Sequence, residues 1–158
     1  MQKREEELVK YLVNEKIKEL GGFVVEISFG KNKIEIMIDK VNGLTIDDCA
    51  ILSRHLHSGL EESGILEAYE VEVSSPGTGN AFKVIEQYHK YKGWKVKIIT
   101  MDGKEITGIL EDVEQEEITI KAEITERINK KKMSRVEHTT VLLKDIKETK
   151  LVLTIKNN

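Results

Sequence analysis

The sequence is short of the residues that cross-link or stiffen a chain and of long apolar runs. Its one cysteine, Cys49, excludes an internal disulfide and a multi-cysteine zinc site, and it suits a reducing cytosol. No apolar run approaches the roughly 20 residues that span a bilayer. Residues 1–7 hold no apolar segment of a secretory signal. We therefore expect a cytoplasmic protein without a membrane partner.

The only proline, Pro76, marks a loop that follows an alternating strand pattern. Proline fixes its own φ and lacks a backbone donor, and a following glycine permits positive φ. The loop therefore stops the strand and turns the chain sharply. We predict that it sets the orientation of two domains and, as a second role, contacts a partner. The residues of this predicted loop site are Ser74, Ser75, Pro76, Gly77 and Lys83.

Charge is divided unevenly along the chain. Residues 1–82 carry 9 lysines and arginines against 15 aspartates and glutamates, a net charge of −6. Residues 83–158 carry 16 against 13, a net charge of +3. An acidic half joined to a mildly basic half suggests two surfaces with different partners. We predict one domain over residues 1–82 and a second over residues 83–158.

Hydrophobic periodicity in the acidic half predicts an α+β domain of order αββαβ, with both helices on one sheet face. The apolar residues 23, 25, 27 and 29 alternate with polar ones on one predicted strand, and so form its buried face. Thr45 is the predicted N-cap of the second helix, with Asp48 at the capping-box position. The predicted helices cover residues 3–20 and 45–63, and the predicted strands cover residues 23–29, 34–39 and 69–73.

The basic half predicts a short helix near residues 84–92 and then five short strands. Asp102-Gly103 is a strong hairpin turn, and Gly108 within a strand suggests a bend or a close backbone approach. Five strands in about 60 residues indicate a small closed all-β barrel, since closure removes exposed sheet edges. The predicted strands lie near residues 94–98, 106–113, 118–120, 141–143 and 151–155.

Residues 127–135 form the densest positive run, and the sequence predicts a loop or frayed insertion there. Such a run binds phosphate through counterion release, although a solvated mobile loop explains it equally well. Trp94 and Tyr88 fit a core or a domain interface better than a stacking platform. The candidate RNA-phosphate contacts are Lys95, Lys97, Lys130, Lys131, Lys132 and Arg135, and Lys83 and Lys92 extend them.

The outward face of the N-terminal sheet is predicted to be acidic. An RNA-reading sheet would carry aromatic side chains and few acids, so this face would repel phosphate and attract a basic protein. A solvated strand face that discourages aggregation is the alternative explanation. The candidate contacts to a basic protein are Glu26, Glu35, Asp39, Glu70 and Glu72.

An enzymatic function has weak support. Asp39, Asp47 and Asp48 could form a metal-dependent hydrolytic site, but helix capping explains the last two without a metal. Cys49 lies on the buried stripe of its helix and fits a small core residue better than a nucleophile. The sequence holds no catalytic triad pattern, phosphate-binding glycine loop or HExxH motif. We predict no catalytic residue, no metal and no cofactor.

Several stretches of the sequence form one ordered pattern: Ile36–Lys40, Gly43–Cys49, Ser53-Arg54 and above all Glu72–Gly77 with Lys83. Together they resemble the bacterial ribosome maturation factor RimP family over most of residues 8–122. The resemblance implies an α+β domain followed by an Sm-like (SH3-like) barrel. It also implies a non-enzymatic role in small-subunit maturation. The implied partners of such a monomer are the immature small ribosomal subunit, its rRNA and a basic ribosomal protein.

One segment departs from the family pattern. After Ser74–Gly77 the family usually continues with an aspartate and an arginine, and Gly79 and Asn80 stand at those positions here. An ionic contact through that pair is therefore lost, which favours the orienting role of the loop over its contact role. The rival interpretation of the whole chain is a general RNA-binding Sm-like module that is not dedicated to the ribosome.

Overall fold

A computed structural model describes the backbone of residues 1–153, and the side chains of this range apart from residues 123–128. The chain divides into two compact units, Met1–Gly77 and Thr78–Asn158. Residues 78–82 carry no charge, so the acidic and basic totals are the same whether the chain is divided after residue 77 or after residue 82. The predicted boundary after residue 82 stays a prediction.

The first unit is an α+β unit with a three-stranded sheet. Strands β1 and β2 pair as an antiparallel hairpin, and β2 pairs with β3 in parallel, which gives the order β1-β2-β3. The parallel pair needs a crossover, and helices supply it. The short α3 was not predicted. The elements are α1 (Lys3–Glu19), β1 (Phe23–Phe29), β2 (Lys33–Asp39), α2 (Ile46–Leu60), α3 (Ile65–Ala68) and β3 (Glu70–Ser74).

The core of this unit lies between the helices and one face of the sheet. Its fully buried members include Val9 and Val13 of α1, Leu52 and Leu56 of α2, and Ile36 of β2. The register of β1 and β2 shifts between Val24 and Glu26, where the strand bulges. The bulge changes the phase of β1, so Val24 packs against the helix-facing cluster. Val25 is buried as predicted but is not part of that cluster.

The second unit is β-rich, as predicted, and begins with a short helix. Strands β4 to β7 form an antiparallel meander, and β8 returns to pair with β4, in the order β7-β6-β5-β4-β8. The elements are α4 (Ile85–Lys90), β4 (Lys95–Thr100), β5 (Glu105–Val113), β6 (Glu117–Ile128), β7 (Lys131–Leu142), a 3₁₀ turn (Leu143–Asp145) and β8 (Ile146–Leu151).

The sheet of the second unit is open, which corrects the prediction of a closed barrel. Within residues 78–153, β7 and β8 are the outer strands and no ladder joins them. The last two strands also differ from the sequence prediction, because β7 begins at Lys131 and β8 ends at Leu151. The predicted end of the last strand, residues 154–155, lies outside the described residues.

A compact apolar cluster fills the inner side of this sheet. Its members include Val96, Ile98, Leu110 and Ile120, and the hydroxyl of Tyr88 lies 2.7 Å from Oγ1 of Thr149. Burial raises the pKa of Tyr88, so the phenol stays neutral. Inward residues alternate with outward ones along β4, which places its lysines on the opposite face.

Candidate nucleic-acid and protein interfaces

The outer face of the first sheet carries a row of acidic side chains on neighbouring strands. Glu35 on β2 pairs in register with Glu72 on β3, and Lys33 pairs with Glu70 in the same way. Partners in register share a face, so these four side chains lie together, with the three glutamates exposed and Lys33 half-buried. The three carboxylates outnumber the single lysine, and the face is therefore acidic.

Lys33 partly neutralises this acidic face. Its Nζ lies 3.4 Å from Oε1 of Glu35 and also forms an ion pair with Glu72. The hydrogen bond and the charge of Glu72 raise the pKa of Lys33, so the amine is charged at neutral pH. Both ion pairs are solvent-exposed, and such pairs contribute little to stability. A cationic partner would therefore compete with Lys33 at low cost.

The other two predicted members of the face are less accessible. Glu26 is half-buried and pairs in register with Met37. Asp39 is only 2 % exposed, and one of its oxygens accepts a hydrogen bond of 2.9 Å from the backbone amide of Lys40. A partner that docks on the sheet face would not reach Asp39. The exposed face therefore consists of Glu35, Glu70 and Glu72 around Lys33, with Glu26 at its side.

The carboxylates near the start of α2 serve the helix. Oγ1 of Thr45 accepts a hydrogen bond from the amide of Asp48 (3.1 Å), and Oδ2 of Asp48 accepts one from the amide of Thr45 (3.0 Å). This is the predicted capping box. Lys40 places its Nζ 3.4 Å from the same carboxylate. The described residues contain no group of three or more His, Cys, Asp or Glu side chains that could hold a metal ion.

We predict that the capping box makes the stability of the first unit depend on pH. The hydrogen bonds from Thr45, and then the charge of Lys40, lower the pKa of Asp48 below its usual value of 3.8. The stabilisation is complete above about pH 4 and is lost as the pH falls through the lowered pKa. The free energy of unfolding, measured with urea and circular dichroism, should differ most between Asp48→Asn and the unchanged protein at neutral pH.

The matched variant is Thr45→Ala, which removes the cap acceptor and keeps the carboxylate. We expect a loss of about 1 kcal/mol at neutral pH, the usual cost of replacing a threonine N-cap by alanine. A difference between the unchanged protein and Asp48→Asn that stayed constant from pH 7 to pH 2 would contradict the role given to Asp48.

The positive run of the second unit is a strand ribbon and not the predicted loop. The ladder of β6 and β7 continues to Ile128 and Lys131, and the two residues between them, Asn129 and Lys130, have φ values of 52° and 67°. Two successive residues at positive φ form the tight turn that suits a twisted hairpin. Beyond Lys121, β6 pairs with β7 alone among the strands described. The basic ribbon, residues 129–137, therefore projects past the sheet.

Lysines of the basic ribbon lie on both of its faces. Lys130, Lys131 and Lys132 are exposed, and successive strand residues point to opposite faces. Arg135 is also exposed, with its guanidinium 3.6 Å from the carboxylate of Glu137. The cluster is therefore able to contact phosphates on either side of the ribbon, and Arg135 is its most compensated member.

A row across the sheet connects the basic ribbon with the lysines of β4. Lys95 pairs in register with Ile109, Ile109 pairs with Lys121, and Lys121 pairs with His138. Cross-strand partners share a face, so Lys95 and Lys121 lie on one side of the sheet. The sequence did not predict Lys121 as a phosphate contact. Alternation shows that this residue faces outward, but it does not show which residues lie beside it on the neighbouring strands.

The remaining lysine candidates on β4 and nearby are neutralised in part. Nζ of Lys97 lies 3.2 Å from the carboxylate of Glu105, and Nζ of Lys92 lies 3.4 Å from that of Asp112. Nδ1 of His138 lies 2.8 Å from Oε2 of Glu111, which accepts a hydrogen bond when that ring nitrogen carries a proton. Lys95 and Lys121 are therefore the stronger phosphate candidates on this face.

The residues of the predicted loop site follow β3, which ends at Ser74. Ser75 and Gly77 are exposed, and Pro76 is half-buried. Lys83 is exposed, and its backbone amide donates to the side chain of Gln87 at the start of α4. The loop spans the division between the two units after Gly77. Its predicted orienting and contact roles stay predictions.

Together these features define a class of protein with two units, in which an acidic α+β unit precedes a β-rich unit with a basic ribbon. No helix within the described range is both long and apolar enough to cross a membrane. The family model for the RimP N-terminal domain matches residues 8–79.

Curated relatives extend the similarity across both units. A ribosome maturation factor RimP from Porphyromonas gingivalis is 31 % identical over 131 residues, which cover 80 % of this chain and 84 % of that protein. One from Cytophaga hutchinsonii is 29 % identical over 167 aligned positions, which cover 99 % of this chain and all of the relative. The chain belongs to the RimP family.

Proposed function

We propose that this protein is a ribosome maturation factor that acts by binding and carries out no catalytic step. The observation that carries the proposal is the match to a relative named ribosome maturation factor RimP over 99 % of the chain. Such a match includes the acidic unit and the basic unit together. A factor of this kind favours one state of its target only as far as it binds that state more tightly.

The target that we propose is the immature small ribosomal subunit, with which a monomer associates in the cytoplasm. The basic ribbon and the row of Lys95 and Lys121 would contact rRNA through its phosphates. Phosphate contacts position a protein and carry no sequence information. Selection of the small subunit would therefore depend on the second surface as well.

The second surface is the acidic face of Glu35, Glu70 and Glu72, which we propose binds a basic ribosomal protein of the small subunit. Opposite charges on two proteins raise the association rate and exclude partners of the wrong sign. RNA is such a wrong partner for this face. The acidic and basic surfaces would thus engage different components of one particle.

We also infer an Sm-like relationship for the second unit. Its meander of four strands is followed by a 3₁₀ turn and a fifth strand that returns to the first one. Five strands in one short unit are the content expected of a small barrel, which supports the inference although the hydrogen-bonded sheet is open.

Co-sedimentation with purified particles tests the function. We expect the protein to sediment with immature small subunits, less with mature small subunits and not with large subunits. Equal binding to all three would contradict a maturation role. Strong binding to naked single-stranded RNA, without preference for any particle, would favour the general RNA-binding module.

A further inference from the structure

Four of the eight aromatic residues form one continuous series of ring contacts in the second unit. Phe82 meets the buried ring of Tyr88 edge to face, with ring centroids 5.0 Å apart. It also stacks on Tyr91 at 5.4 Å with an interplanar angle of 27°. Tyr91 in turn meets Trp94 at 5.6 Å and 81°. The series leads from the core to the surface.

Trp94, at the outer end of this series, is 54 % exposed. It is therefore not a core residue of this unit, which was the first of its two predicted roles, and the second, a domain interface, stays a prediction. An edge-to-face contact with Tyr91 covers at most one face of the indole ring. Exposing more than half of the largest apolar side chain is costly, and such exposure commonly marks an interaction site.

The backbone holds Trp94 in place on both sides. Its amide donates to the carbonyl of Tyr91 (3.0 Å), and its carbonyl accepts from the amide of Leu110 (2.9 Å). The preceding Gly93 has φ of 91°, which few side chains tolerate, and its amide donates to the carbonyl of Leu110 (2.7 Å). A ring fixed in this way loses little conformational freedom on binding.

The surroundings of the exposed indole are cationic. Residues 89–95 include three lysines and no acidic residue. Nζ of Lys90 lies over the ring of Tyr91, 5.5 Å from its centroid. Lys95 follows Trp94 directly but points to the opposite face of the sheet. Lys92 forms an ion pair with Asp112, with its Nζ 3.4 Å from a carboxylate oxygen. A positive rim around an exposed aromatic ring favours an anionic polymer that carries flat bases.

We propose that Trp94, supported by Tyr91, is a stacking platform for one unpaired base of single-stranded RNA. Lys90 and Lys92 would contact the phosphates next to that base. The inference rests on the proposed rRNA binding and adds a second contact, separate from the basic ribbon. Stacking is tolerant of sequence because every base presents a flat π face, so the platform would select unpaired RNA over a duplex.

Fluorescence of the single tryptophan reports on this site alone. We expect a mixed-sequence 12-nucleotide RNA to quench Trp94 emission, and an abasic strand of equal length and charge to bind without quenching. A duplex of the same sequence should also leave the emission unchanged. An emission change with small-subunit proteins but not with RNA would assign the platform to a protein and overturn the proposal.

Fluorescence anisotropy of labelled RNA measures how much variants of this site change the affinity for RNA. Trp94→Leu is expected to weaken binding about 5- to 100-fold, the range for loss of one stacked base, and Trp94→Phe less. Met101→Ala, which removes an exposed apolar side chain elsewhere in the unit, should leave binding unchanged. Unchanged affinity of Trp94→Leu, with RNA binding intact, refutes the platform and leaves the proposed function standing. Failure to bind both RNA and small-subunit particles contradicts both.

Discussion

Replacing Lys130, Lys131 and Lys132 by glutamate is expected to weaken binding to small-subunit particles by roughly 100-fold or more. Exposed ionic contacts contribute up to about 1 kcal/mol each, so three of them correspond to roughly that factor. Reversed charges at the tip of the ribbon would also repel the phosphates that the lysines attract. Co-sedimentation at a series of protein concentrations measures the change in affinity.

The salt dependence separates phosphate contacts from a general effect of net charge. Loss of three phosphate contacts should reduce the magnitude of the slope of log affinity against log salt concentration by about 2 to 3. The matched control is Lys144→Glu/Lys147→Glu/Lys150→Glu, which makes the same charge change at exposed positions in and just before β8. If both triple variants lost affinity equally, with parallel salt slopes, the ribbon would not be the contact.

Alternation and helical spacing predicted most of the fold because they report which side of an element is buried. Four apolar residues of α1, including Val9 and Ile17, are buried as the 3.6-residue period indicates. The capping box at Thr45 and Asp48 was predicted for the same reason, since its signal is local. Local signals of this kind need no knowledge of distant partners.

The sequence predictions were wrong near the ends of elements and where the pairing of two strands decides the structure. Asp39 alternates with buried residues, yet it lies at the end of β2, where other parts of the unit cover it. Trp94 has the phase of the buried residues of β4 but lies just before that strand begins, and it is 54 % exposed. The ribbon lacks apolar alternation, and only its Asn129-Lys130 turn signals a hairpin. The backbone pairing of β6 with β7 determines that this segment is a hairpin.

The basic surface of the second unit therefore depends on strand packing as much as on lysine content. Lys95 and Lys121 share a face because β4, β5 and β6 keep their register through Ile109. Gly108, one residue before Ile109, determines how closely β5 approaches β6. The sequence predicted a bend or a close backbone approach at this glycine, and the structure shows the close approach. An added Cβ would lie 2.5 Å from the backbone oxygen of Lys121 and 2.8 Å from Cγ2 of Ile120.

We expect Gly108→Ala to destabilise the second unit by about 1 to 3 kcal/mol, the usual cost of overpacking a filled core. The nearest obstacle is a backbone carbonyl, so relief requires a shift of β6 and not a change of rotamer. That shift would move Lys121 out of the row with Lys95 and weaken RNA binding as well. Urea unfolding followed by Trp94 fluorescence measures the loss, because the only tryptophan lies in this unit.

Gly79→Ala is the matched control, because an added Cβ there meets nothing within 4 Å and its φ lies outside the left-handed region. The same substitution at this exposed position should be neutral, or stabilising by up to about 1 kcal/mol through the unfolded state. A Gly108→Ala protein as stable as the unchanged chain would show that β6 moves away without cost. The position of Lys121 would then be loosely held, and the row across the sheet could not act as a fixed phosphate-binding surface.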